Sequence, residues 1–471
     1  MISRSFDPET RPRPSIPPIG LFGSCSGLLL SSAKLMDMMN GYLPIGDIAT
    51  MRIRDWDLNL RIRIIGESAT NISFWIFFPY LTIYFSDALG KGTSGMLLVA
   101  SQVVSVFANL IGGYCADRFG RKRMMIAASA GQGLGYGLFA LALSPWVDLP
   151  LLGFVGFAFA SMSGSMYWPA SQAMVADVVE EKHRNQVFAT FYAVQNFSVV
   201  IGPLIGSVLF LAYPSKVLLA ASLVCLALAI TLSAALAETL SPEKLAAKKQ
   251  SGSWSEAVLA QMKDYRVIMT DRVFLLFILA GVLIAQTFMQ LDLLFPVYLK
   301  ETIENASLRI GDWQAHFGGE KLFGMLVSEN GLLVVLFTVI VTKWMDRYKD
   351  RYVFIGTAIV YALSIFLFGQ TSSVFGLVAV MALFTFAELM STGPQQAFVA
   401  RLAPDDKRGQ YFAASSLRFT LGRTIAPLSV PLSDAIGYPW TFGILTALSC
   451  LAALIYHMMF NRFEKQSSFG N

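Results

Sequence analysis

Twelve apolar helices crossing a membrane, arranged as two similar sets of six, are what this sequence encodes: an all-α membrane protein. Charge content, run length and internal repetition lead there. Only 14% of the residues are charged, against 55% hydrophobic, whereas soluble domains carry about 25% charged residues. A bilayer core needs ~20 apolar residues per helical crossing. Twelve such runs stand at 70–89, 94–115, 123–144, 149–177, 187–211, 217–237, 272–297, 325–346, 353–370, 374–400, 411–433 and 439–460. They are too long and continuous for the short, alternating strands of a membrane β-barrel. The second half echoes the first. Gly95-Met-Leu97 and Asp117-Arg118 recur 229 residues on as Gly324-Met-Leu326 and Asp346-Arg347. Ala173, Arg184, Gln186, Phe188 and Pro203 recur 224 residues on as Ala397, Arg408, Gln410, Phe412 and Pro427. Homologous halves place a binding site near the midplane between them, with access alternating as one half rocks against the other.

Residues 1–50 are rich in Pro, Ser and Arg, and their apolar patch at Leu28-Leu-Leu30 is too short to span. They read as a disordered extension, or as a misassigned segment with translation beginning at Met51. Residues 51–237 form the first six-helix bundle. Residues 238–271 are a polar linker carrying Lys244, Lys248, Lys249 and Ser251-Gly-Ser253, and 272–471 are the second bundle with a short tail. A further polar loop at about 298–322 separates runs seven and eight. Most of the 36 Lys and Arg fall in loops of one side, at 52–63, 118–123, 182–184, 244–272, 343–351 and 401–408. The positive-inside rule makes that side cytoplasmic, both termini with it, in the cell membrane. The net charge of +5 thus marks topology and no nucleic-acid partner. Cys25, Cys115, Cys225 and Cys450 have neither metal-site nor CxxC spacing, so no metal is expected.

An ionisable side chain inside a span is costly and marks function. Glu388 lies near the middle of run ten and Asp292 in the last third of run seven; Arg418 and Arg423 lie in run eleven. A carboxyl that moves between an apolar setting and the neighbourhood of a cation changes its proton affinity. Glu388 and Asp292 are therefore expected to carry protons, with Arg418 and Arg423 as buried counter-charges and Glu388 the natural counter-ion. The plainer possibility is a static Glu388–Arg418 or Asp292–Arg423 ion pair. Asp177 closes run four as a solvated helix end, and Glu67, at the start of run one, is placed at the interface. Trp75, Tyr80, Tyr136, Trp168, Tyr192, Gln195, Asn196, Met289 and Met390 suit a greasy, adaptable substrate cavity. No nucleophile–base pair, metal cluster or phosphate loop points to an enzyme.

The turn between runs two and three packs an acid, two glycines and four cations into Gly113-Tyr-Cys-Ala-Asp117-Arg118-Phe-Gly120-Arg121-Lys122-Arg123. Helix electrostatics suggests a latch, with Asp117 docked at the positive N-terminus of run eleven near Gln410. Gly113, Asp117, Arg118, Gly120, Arg121 and Lys122 resemble the signature loop of the major facilitator superfamily, between its second and third helices. In run five, Gly202-Pro203-Leu-Ile-Gly206 resembles the antiporter signature of export facilitators. Ala173-Met-Val-Ala-Asp177, Gln195-Asn196-Phe-Ser, Met289-Gln-Leu-Asp292 and Ala387-Glu388-Leu are similar to the twelve-helix drug:proton antiport branch, in particular its LmrP-type multidrug/proton antiporters. This resemblance implies proton-coupled roles for Asp117, Asp177, Asp292 and Glu388.

The expected function is proton-coupled export of amphipathic, cationic compounds by alternating access. The partners are protons, the bilayer and the small-molecule substrate. The chain is expected to act as a monomer with no cofactor, the proton gradient being the drive. A proton symporter importing a nutrient is the alternative; a non-transporting sensor or lipid scramblase on the same fold is a more distant one.

Overall fold

In the computed structural model, residues 56–240, 271–304, 306–310, 313–403 and 408–468 are described. The extension at 1–50, most of the linker and the loop at 404–407 before run eleven lie outside them. Among the described residues twelve helical crossings follow one another: α1 Leu58–Leu89, α2 Lys91–Phe119, α3 Arg121–Ala142, α4 Pro150–Val178, α5 Glu181–Ala212, α6 Pro214–Ala235, α7 Arg272–Thr302, α8 Gly319–Met345, α9 Asp350–Phe368, α10 Val374–Leu402, α11 from Arg408 to Ile436, and α12 Tyr438–Ser468. All but α11 are long and apolar enough, counting short 3-10 segments within them, to cross a membrane. α11 is divided into three short helices and a 3-10 turn around Ser416 and Pro427.

α1 begins twelve residues before the apolar run that announced it. Asp57 caps it, its Oδ1 accepting from the Asn59 amide at 2.8 Å, so Arg61, Arg63 and Glu67 belong to the helix. Asp271 caps α7 in the same way, accepting from Val273 and Phe274 amides at 2.9 and 3.1 Å. A side-chain oxygen there satisfies helix donors that have no intrahelical partner. The polar loop before α8 is not irregular. It forms an antiparallel hairpin of β1 (Ala306–Ile310) and β2 (Trp313–Phe317), the one departure from an all-helical chain among the described residues.

The helices pack as two bundles. In the first, α3 lies against α4 and α6, α2 against α4, and α1 against α5 and α6; in the second, α9 lies against α10 and α12, α7 against α11 and α12, and α8 against α10. The bundles meet along two seams, α5 with α8 and α2 with α11. Small residues permit these close approaches. A Cβ on Gly95 of α2 would come within 2.2 Å of Pro431 of α11, and one on Gly331 of α8 within 2.9 Å of Val200 of α5. Broad apolar surface faces outward, as on Phe107, Val208, Ile230, Ile340 and Leu454, which suits lipid rather than water.

Candidate functional site

α7 is interrupted near its second half. Its α-helix ends at Phe288, passes through a 3-10 turn at Met289–Leu291 and resumes at Leu294. Pro296 has no amide hydrogen for the carbonyl four residues before it, which belongs to Asp292. Thr82 of α1 supplies the missing donor, its Oγ1 lying 3.1 Å from that carbonyl oxygen. The break thus exposes a carboxyl and a main-chain oxygen at the interface with the first bundle. Asp292 Oδ1 is buried with no hydrogen-bond partner.

Glu388 lies across the bundle on α10, within electrostatic reach of Asp292. Its Oε2 accepts from Asn330 Nδ2 of α8 at 3.0 Å, and the same amide donates to Thr385 Oγ1 at 2.9 Å. Beside them Gln290 donates to the Gln286 carbonyl at 2.9 Å and accepts from Ser429 at 2.6 Å. The Glu388 carboxyl, the Asn330 amide and the Thr385 hydroxyl thus meet between α8 and α10, while the Asp292 carboxyl and its freed carbonyl stand at the break of α7 against α1. Asn330, Thr385 and Thr82 were not singled out from sequence, because one neutral polar residue in an apolar run carries no periodic signal.

The cations of run eleven are not part of this group. Arg418 is buried, donating from Nε to the Ser415 carbonyl and from Nη1 to Gln395 Oε1, both at 3.0 Å; its guanidinium lies 4.2 Å over the Phe277 ring. It forms no ion pair with Glu388, so the static pair considered from sequence is absent. The reason is direction: α11 turns Arg418 toward α7 and the lower part of α10. Arg423 is half-buried one to two turns further along.

The signature loop is organised around Gly120. Its φ of +102° suits glycine, and a Cβ there would come within 2.4 Å of Glu238 Oε2. Glu238, just past α6, caps α3: its two carboxylate oxygens accept from the Arg121 and Lys122 amides at 3.1 and 3.2 Å. Arg121 pairs with Asp177 and also donates to the Ala173 carbonyl, and Thr239 donates to Asp177 at 2.8 Å. Asp177 is therefore held in a network at the exposed end of α4. Asp117 stands 4.0 Å from Arg121, and Arg118 donates to Tyr114. The docking foreseen for Asp117 at the N-terminus of run eleven near Gln410 falls on residues 404–407 and on the side chains of 408–410, which lie outside what is described. Gly113 lies 3.7 Å from Pro169 by its notional Cβ.

The Gly202-Pro203-Leu-Ile-Gly206 stretch presses α5 against α1. A Cβ on Gly202 would meet Trp75 at 2.4 Å, and one on Gly206 the Ile76 carbonyl at 1.9 Å. The Pro203 carbonyl accepts from the Tyr80 hydroxyl at 2.7 Å. Of the cavity candidates, Tyr80, Tyr136 and Met390 are buried in packed interior: Tyr136 sits edge-on to Phe77, and Met390 among Val334, Val341 and Met345. Trp75, Gln195, Asn196 and Met289 are half-buried, and Trp168 and Tyr192 are exposed.

Glu67 was expected at an interface and is half-buried in a hydrogen-bonded cluster. Its Oε1 accepts from Arg63 Nε at 2.9 Å, Tyr167 Oη at 2.8 Å and Ser171 Oγ at 3.1 Å. Arg63 also lies 5.0 Å from the Phe191 ring centroid. The misreading came from starting the first run at residue 70, which left Arg63 and Glu67 off the helix; their i, i+4 spacing was the available signal.

Comparison with known proteins agrees with this architecture. The chain is 50% identical over 422 residues to a protein of Planococcus maritimus named a Na+, Li+, K+/H+ antiporter, covering 88% of this chain and 99% of that protein. It is 21% identical to multidrug resistance protein MdtH of Salmonella typhimurium, over 82% of this chain and 87% of that one. A crystal structure of a POT family transporter in complex with 5-aminolevulinic acid superposes with a TM-score of 0.68 at 16% identity, over 87% of this chain and 97% of that one, a likeness of fold. The sequence profile of the Major Facilitator Superfamily matches residues 64–311 and again 305–469. Two bundles of six membrane helices, the second repeating the first, and these matches over nearly the whole folded chain make this protein a member of the Major Facilitator Superfamily and a transporter, not an enzyme.

Proposed function

We propose that this chain exchanges monovalent metal cations for protons across the cell membrane. The observation that carries the reading is the placement of two carboxyls inside the second bundle, Asp292 at the break of α7 beside its freed carbonyl and the Thr82 hydroxyl, and Glu388 on α10 held by Asn330. Na+, Li+ and K+ are hard cations held by carboxylate, carbonyl and hydroxyl oxygens. A carboxyl occupied by such an ion cannot hold a proton at the same time, and this competition is what exchange requires. The half-identical Planococcus maritimus antiporter supports the ion class. The end of the bundle rich in cations faces the cytoplasm in this reading. There Arg121, Asp177, Asp117 and Glu238 would hold the inner gate. The chain works as a monomer with no cofactor, driven by the proton gradient.

Export of amphipathic cationic drugs is a second reading. The exposed aromatics Trp168 and Tyr192 and the more distant MdtH favour it, and the same carboxyls would serve. Cation exchange is tested in everted membrane vesicles of cells expressing the protein, energised to an acid interior and followed with a pH-sensitive dye. Addition of NaCl, LiCl or KCl should release protons with wild type, and neither Asp292→Asn nor Glu388→Gln should respond. No response of wild type to any of the three salts would overturn cation exchange. Uncoupler-sensitive ethidium efflux by the same cells tests the drug reading separately.

A further inference from the structure

We propose that the second bundle holds a small monovalent anion, of the halide class, beside Arg418. Arg418 is a buried cation whose described contacts are the Ser415 carbonyl, the Gln395 side-chain oxygen and the Phe277 ring. None of them carries a negative charge. A charge withdrawn from water needs a partner of opposite sign to offset its desolvation.

A small cavity lies against Gln395, the side chain to which Arg418 donates, and is lined by Ile284, Phe354, Thr357, Ser391, Gln395 and Tyr456. It has room for about one water-sized particle. Thr357 Oγ1 and Tyr456 Oη are buried there without hydrogen-bond partners. Both residues are about 2% exposed or less. Gln395 has committed its oxygen to Arg418, which leaves its NH2 group as the end available to a ligand. The Ser391 hydroxyl is spent on the Glu388 carbonyl at 2.9 Å. The site thus offers hydroxyl and amide donors in the field of a guanidinium. A metal cation is repelled by that field. A water satisfies the hydroxyls and leaves the arginine uncompensated. A monatomic anion does both.

The first bundle supplies a comparison. Its buried Arg63 likewise lies against a phenylalanine ring, at 5.0 Å, but there α1 brings its own carboxylate, Glu67. The helices equivalent to α1 and α4 in the second bundle are α7 and α10. They contribute Ile284, Ser391 and Gln395 to the cavity, and no acid. The anion takes the part that Glu67 plays in the other half. Ser391 is one helical turn from Glu388 and Gln395 two turns, so a bound anion shields the carboxyl from Arg418 across ~10 Å of helix at 1.5 Å per residue.

The test uses the purified full-length protein in detergent. Its melting temperature is followed as chloride replaces gluconate at constant sodium and ionic strength. A ligand that binds only the folded state raises that temperature with its concentration. Wild type should show a rise with chloride, and Thr357→Val and Tyr456→Phe should lose it. Equal melting in chloride and gluconate means that the site holds water only and overturns the proposal. A shift retained in both variants is a general salt effect and overturns it too. If either variant fails to fold, bromide-grown crystals of wild type give the same decision. An anomalous peak within hydrogen-bond distance of Thr357 and Tyr456 is expected, and its absence rejects the site.

Discussion

Gly120 and Glu238 meet in space although 118 positions separate them in the chain, and each explains the other. A side chain at residue 120 would have to adopt φ +102° and displace the carboxylate that caps α3. Left-handed backbone alone costs about 1–2 kcal/mol for a residue with a Cβ, so Gly120→Ala should lower stability by at least that much. Thermal unfolding in detergent measures it, and a Gly120→Ala, Glu238→Ala pair should recover only the steric share. Arg63 and Glu67 make a second case at this scale. Removing one partner of a buried pair costs ~3–5 kcal/mol, whereas replacing both with apolar residues is far milder. Arg63→Met should therefore destabilise strongly, and Arg63→Met with Glu67→Leu should be the more stable of the two. A double variant no more stable than the single would mean that the pair does more than balance charge.

At the level of elements, the broken helix matters most. α7 could have run straight through the membrane, since its composition is predominantly apolar. Pro296 frees the Asp292 carbonyl, and a threonine on another bundle answers it at 3.1 Å. Thr82→Val removes that donor and keeps the shape. It should cost ~1–3 kcal/mol, the penalty of a buried acceptor left without a partner, in the state captured here. The same substitution in a protein whose α1 and α7 separated permanently would be neutral, so a melting shift reports on this contact. The pairing of α1 with α5 is of another kind. With Gly206 so close to the Ile76 carbonyl, Gly206→Leu should prevent close packing and reduce the yield of folded protein, whereas Ser207→Gly should be tolerated.

The whole molecule is fastened at the end remote from the cation-rich loops. Lys300 pairs with Asp87 of the first bundle and, at 3.3 Å, with Glu320 of its own. Lys91 of the first bundle reaches Glu301 of the second at 2.6 Å and lies 4.8 Å from the Tyr438 ring centroid. Tyr438 donates to the same Glu301 at 2.8 Å. These bridges tie the two bundles together at that end. Partly exposed pairs contribute ~0.2–1 kcal/mol each, so losing both lysines should shift the balance toward an open far mouth on the order of five-fold. Distances between spin labels placed on residues 89 and 304 would report the change in Lys91→Ala, Lys300→Ala protein. Exchanging Asp87 and Lys300 should restore closure.

The sequence alone determined the class, the count of crossings, the doubling into halves and the identity of the two acids in the second bundle. These follow from composition, run length and repeat spacing, which are properties of the chain read along its length. It also marked Gly120 and the Gly202–Gly206 stretch, because glycine at a turn or a helix contact leaves a local trace. Only the tertiary structure decided which groups meet. It sent Arg418 to Gln395 and Phe277 instead of Glu388, brought Thr82 to the break in α7, drew Glu238 under the signature loop and set Glu67 beside Arg63. Those encounters depend on the rotation of each helix about its axis and on which helix lies beside it. An apolar run facing lipid on one side and neighbours on the others leaves both undetermined until the bundles close.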